Sequence, residues 1–235
     1  MARITRKELK ADTFALEVEH TLTLFEDHKR DILRYGGIAV VVVLLVVGLL
    51  IYRGRQHTSR EAALSRAILV EQTPVGAPPP GATNTSAFPT QQVKDDTAVK
   101  IFTDLKNQYP GSDEGEIAQY FLGTIQANQG KLADAEKNLQ QAAQTGDAKY
   151  NSLAKLALGE VYFADGKIDQ GKQVLEDLAA HPTIFVSKEQ ALLAEARALI
   201  PVRPAEARKI LDGLRNTPGT VSQVVLTLYG QLPPK

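Results

Sequence analysis

The chain has 235 residues, with 27 basic and 27 acidic side chains and no cysteine. Balanced charge argues against a nucleic-acid surface or an acidic solvating tail, and the missing thiols exclude disulfides, thiolate catalysis and thiolate metal sites. A chain of this length holds about one domain with its own core besides any tail or span.

Residues 1–31 read as a cytoplasmic tail. From Ala11 to Arg34 there is no proline or glycine, and Phe14, Val18, Leu22, Phe25 and Ile32 recur at mostly three- or four-residue steps. This spacing predicts an amphipathic helix. Its charges are mixed rather than basic, which does not suit a lipid-binding segment.

Gly36 to Tyr52, GGIAVVVVLLVVGLLIY, carries no charge. At about 1.5 Å per residue the run spans roughly 25 Å. Ile32 and Leu33 extend it, which predicts a transmembrane helix over 32–52. A core helix is rarely apolar on every face, and a cleaved signal would end in small residues where Arg53-Gly54-Arg55-Gln56 stands. Lys29, Arg30 and Arg34 lie close on the N-terminal side with Arg3, Arg6, Lys7 and Lys10 behind them, against Arg53, Arg55, Arg60 and Arg66 on the other, a narrow margin for a cytoplasmic N-terminus. A short charged tail before one uncleaved apolar segment points the same way, as a signal anchor that exports the larger C-terminal portion.

Residues 53–72 predict a connecting helix, with Ala62, Leu64, Ala67, Ile68 and Leu69 in it. Residues 73–92 hold Pro74, Pro78, Pro79, Pro80 and Pro89, a density that removes backbone donors and leaves no regular helix. This is a Pro-rich loop.

Residues 93–235 contain an internal period. Gln119–Ala142 and Lys155–Leu178 align at a shift of 36 residues: Leu122-Gly123 with Leu158-Gly159, Gly130-Lys131 with Gly166-Lys167, Leu139 with Leu175. The positions resemble the tetratricopeptide repeat: a small residue where two helices cross, Gly-Lys at the turn, then Ala and large apolar residues. Tyr162 takes the aromatic position of the second copy, and Gln126 replaces it in the first. Upstream, Ala98, Phe102, Leu105 and Pro110 fit a second helix whose partner would come from Thr58–Gln72. Downstream, Ala207, Leu211 and Leu214 fit another second helix, although its first helix, Lys188–Leu199, lacks the small glycine and the aromatic. Val221–Leu232 reads as a terminal capping helix. The predicted fold class is therefore all-α: one transmembrane helix followed by a tetratricopeptide-repeat-like α-solenoid.

No catalytic constellation emerges. His20, His28, His57 and His181 form no metal-ligand spacing, and no phosphate-cradling loop occurs. No cofactor, metal or small-molecule substrate is expected. A repeat array offers instead a concave groove lined by its first helices. By the repeat pattern the inward positions are Ile117, Tyr120, Thr124 and Asn128, then Leu153, Leu156, Glu160 and Phe163, with Leu192 beyond them. Such a groove takes a peptide or helix of a protein partner, or is filled by the protein's own helices. Apart from Asn128 the set lacks the lysines and asparagines that clamp a C-terminal carboxylate.

A short tail, one span, a connecting helix and a degenerate repeat domain in that order resemble the bacterial YfgM-like ancillary subunit of the Sec translocon. The resemblance covers residues 32–235. It implies an inner-membrane anchor, repeats exposed to the periplasm, and a non-enzymatic scaffold passing exported proteins to periplasmic chaperones. The Sec translocon and those chaperones would be its partners. The alternative is a scaffold for envelope assembly or cell division, or an accessory subunit of a membrane enzyme complex. The long tail and the Pro-rich insertion depart from that family's pattern.

Overall fold

The computed structural model describes residues 29–76, 87–144, 148–217 and 219–233, and the tail helix predicted from Ala11 to Arg34 lies outside them up to His28. The described elements are helices, and the chain divides into two units, residues 1–58 and 59–235.

Helix α1, Lys29–Gln72, begins in the first unit. From Tyr35 to Ile51 every side chain along it is exposed, including Ile38, Leu44, Leu45 and Leu50. Among the described residues no helix is long and apolar enough to cross a membrane.

The second unit opens with the last turns of α1. Ala67, fully buried there, packs with Ala98, Phe102 and Leu122 from the next two helices. The chain leaves α1 at Thr73 and returns through a parallel bridge between Val75 and Phe88. Phe88 N–H donates to Pro74 O and Gly76 N–H to Phe88 O, both at 2.9 Å, so the two ends of the proline-rich segment are tied together. Helix α2, Gln91–Gln108, starts where the Thr90 hydroxyl accepts from Val93 N–H. Helix α3, Asp113–Asn128, starts at Ser112, whose hydroxyl accepts from Gly115 N–H, and carries Asp113, Glu114 and Glu116 in its first turn. A side-chain cap and acidic residues both satisfy the positive end of a helix.

Next come α4 (Leu132–Gln144), α5 (Ala148–Ala164), α6 (Ile168–Ala180), α7 (Lys188–Leu199), α8 (Pro204–Leu214) and α9 (Thr220–Gln231). The two Gly-Lys turns are built alike. Gly130 and Gly166 both have φ +74, a left-handed conformation that glycine adopts without penalty. Each glycine N–H bonds back three residues and each following lysine N–H five, to Ala127 and Gln126 and to Phe163 and Tyr162. That is a Schellman C-cap, so Gly-Lys ends the helix and turns the chain rather than binding phosphate.

The hairpins close on a second repeated feature. A Cβ at Gly123 would lie 2.5 Å from Leu139 Cγ, and one at Gly159 would lie 2.6 Å from Leu175 Cγ. Only glycine lets α3 meet α4, and α5 meet α6, with a leucine seated in the notch. From α2 onward successive helices pack in order, and α3 also meets α5, α5 meets α7 and α7 meets α9. This gives an inner row of α3, α5 and α7 and an outer row of α4, α6 and α8. Helix α9 places Val225 and Leu228 on Leu199, Leu211 and Leu214 and covers the last hairpin. Each core cluster joins helices of adjacent hairpins, as stacked repeats require.

The terminal hairpin breaks the pattern. Ala207 and Leu211 hold the places of Gly171 and Leu175, but 36 residues after Gly159 stands Glu195, a carboxylate where the earlier copies have glycine.

Candidate functional site: the inner cleft and its neighbours

The inner row contains a cleft of about 230 Å³ between α3 and α5. Ala127, Ala157 and Ala164 give it small apolar walls, and Thr124, Asn128 and Glu160 line it with polar groups. The Thr124 hydroxyl donates to Phe121 O at 2.9 Å, which spends its proton on its own helix and leaves its lone pairs for a visitor. Surrounding protein raises the Glu160 carboxyl above the usual carboxylate range, while Arg197 from α7 pulls it back. An apolar lining with polar groups at the edge suits a short side chain carried on an extended or helical segment.

Of the nine predicted groove residues, this cleft brings three together: Thr124, Asn128 and Glu160. Tyr120 stands close by, since Glu160 is among the charges that raise its hydroxyl's pKa after burial and Tyr150. Its ring is edge-on to Phe121 at 5.3 Å and tilted against Tyr150 at 5.5 Å, continuing a row that starts with Phe102 stacked on Phe121 at 4.8 Å. Ile117 is half-buried on α3. Leu153, Leu156 and Leu192 pack against Leu178, Val186 and Ala191, filling the space between the third and fourth hairpins. The Phe163 ring occupies the seam of its own hairpin, where a Cβ on Gly171 would come within 2.6 Å of it, and it also packs on the last core cluster.

The outer row carries larger clefts. One of about 470 Å³ lies among α4, α5 and α6 and is lined by Gln140, Gln144, Tyr162 and Gln173. Gln140 donates to the Tyr162 hydroxyl at 2.8 Å across it. Another of about 520 Å³ lies one repeat further on and is lined by Lys172, Glu176, Glu195, Glu206 and Lys209. Glu176 and Lys209 stand 36 residues after Gln140 and Gln173, so the same cleft recurs with glutamines replaced by charges. Glu195 is 2% exposed, and its Oε2 has no hydrogen-bond partner. Burial, then Glu176, push its carboxyl up to about 7, with Lys172 opposing. The sequence signal for this residue was available: it is the one charged side chain at the small-residue position of the period.

Cross-repeat ion pairs hold the outer row. Lys167 meets Glu136 at 2.6 Å and Arg203 meets Asp169 at 2.9 Å, with Lys167 and Arg203 again 36 residues apart. Both pairs are partly exposed, so solvent screens them and they add little to stability. Among the described residues no group of His, Asp and Glu is arranged to hold a metal ion.

Helix pairs stacked at a constant period and closed by a terminal helix define an α-solenoid of the helix-turn-helix repeat class. The chain belongs to the tetratricopeptide repeat-like domain family, whose family model matches residues 34–192. The match starts just ahead of the apolar run and takes in the repeats through part of α7, so both lie in one matched unit. Domains of this class mediate contacts between proteins and are typically non-catalytic scaffolds. No curated protein and no solved structure matches the chain significantly.

Proposed function

We propose that this protein is an interaction scaffold tethered to the bacterial inner membrane, with residues 32–52 as the tether, the N-terminus cytoplasmic and the repeats periplasmic. Its role in this reading is that of a helper beside the Sec translocon, passing exported proteins to periplasmic chaperones. The observation that carries the tether is the exposure of every side chain from Tyr35 to Ile51. A soluble surface rarely leaves so continuous an apolar patch open to water, whereas lipid satisfies it on all faces. The cleft of Thr124, Asn128 and Glu160 supplies the partner groove. Tethering keeps that groove at high effective concentration near emerging chains.

Protease added to spheroplasts tests the arrangement. The repeats should be digested from outside while a tag at the N-terminus is protected until detergent is added. Protection of the repeats with exposure of the tag would reverse the orientation and end the translocon reading.

A further inference from the structure

The outer cleft among α6, α7 and α8 has a feature that an interaction groove on the inner row does not use. Glu195 rises from α7 at the position where the preceding hairpins have glycine, and it lines the cleft with its Oε2 buried and without a hydrogen-bond partner. A buried carboxylate normally finds a donor, and leaving one without is costly. Lys172 of α6 is hydrogen-bonded to Glu206 of α8, and Arg203 also approaches Glu206 at 3.6 Å. Glu176 adds a further carboxylate from α6, and Lys209 lines the cleft from α8. Lys172 and Arg203 are thus both engaged at Glu206, which leaves the carboxyls of Glu176 and Glu195 with Lys209 along the cleft. We propose that this cleft is a binding site for an organic cation, an alkyl guanidinium or ammonium group, which pairs with the buried, unpartnered Oε2 of Glu195.

The volume of about 520 Å³ admits an arginine or lysine side chain or one arm of a polyamine. With no metal-holding cluster among the described residues, the planar or tetrahedral donors of an organic cation fit the chemistry. The site is independent of the partner groove and of the membrane reading. Proton and ligand compete for the same oxygen. The groups facing Glu195 are Lys172 and Glu176 from α6 and Glu206 and Lys209 from α8. A carboxyl pushed up to about 7 is mostly neutral below that pH, so binding is strong above it and lost as pH falls through it.

Calorimetric titration of the full-length chain in detergent micelles tests this with N-acetyl-arginine methylamide, spermidine and the citrulline analogue of the first. One or both cations should bind and the neutral citrulline analogue should not. A stronger arginine derivative points to a protein side chain as the source, a stronger spermidine to a free polyamine. Affinity should fall about tenfold from pH 8 to pH 6. Glu195→Gln, with helicity confirmed by circular dichroism, should lose at least tenfold in affinity. Lys172→Met removes an internal cation beside Glu195 and, measured at pH 9 where Glu195 stays ionised without it, should tighten binding severalfold, a result that stands even if Glu195→Gln fails to fold. Equal binding of the citrulline analogue, or affinity unchanged in the variant that folds, would overturn the proposal.

Discussion

Leu175→Ala is expected to destabilise the repeat array by about 3 kcal/mol, within the 2–5 kcal/mol range of buried leucine truncations. Leu175 is fully buried, and it fills the notch left by Gly159, where even a methyl group would come within 2.6 Å of it. Helices α5 and α6 are already at closest approach, so they have little freedom to move in and fill the void. Stability in a stacked array is a sum over neighbours. The loss therefore falls on the central hairpin, uncoupling the helices before it from those after it. Urea unfolding followed by circular dichroism should show a lower midpoint and a broadened or split transition. The double variant Gly159→Ala/Leu175→Ala should recover about 1 kcal/mol, since the added methyl enters vacated space and alanine favours helix over glycine. A single-variant loss below about 1 kcal/mol would mean that the seam is not the structural centre described here.

The second large effect concerns the tether. Val43→Lys with Val46→Lys places two charges in the middle of the exposed apolar stretch, each adding about 3 kcal/mol to the cost of membrane insertion. Carbonate extraction of membranes should find the native chain in the pellet and the double variant largely in the supernatant or degraded. Val93→Lys, at an exposed apolar position on α2, should leave the distribution as it was. A double variant retained as well as the native chain would sink the tether, and with it the topology.

The repeat core could be read in the chain because its rules are local. Gly123 and Gly159 with Leu139 and Leu175 recur at a fixed interval, and a leucine opposite a glycine has one place to go. Gly130 and Gly166 were recognisable as turn residues for the same reason. The groove was less legible. Which face of α5 looks inward depends on how far each hairpin is rotated against the next, a sum of packing choices that no single position encodes. Leu153, Leu156 and Leu192 thus fill space between hairpins, and Phe163 lies against Gly171, while Thr124, Asn128 and Glu160 line one cleft. Glu195 was hidden by its context, since a mismatch in a degenerate final copy resembles drift until its burial and unpartnered oxygen are known.

The central claim is that the inner cleft holds protein partners at the membrane during export. Photo-crosslinking from benzoylphenylalanine placed at Asn128, in living bacterial cells, tests it most directly, with Leu226 on α9 as the exposed control. Adducts containing translocon subunits, exported chains or periplasmic chaperones should form from Asn128 and not from Leu226, and Thr124→Arg should suppress them. No adduct from Asn128, or the same adducts from both positions, would contradict the account.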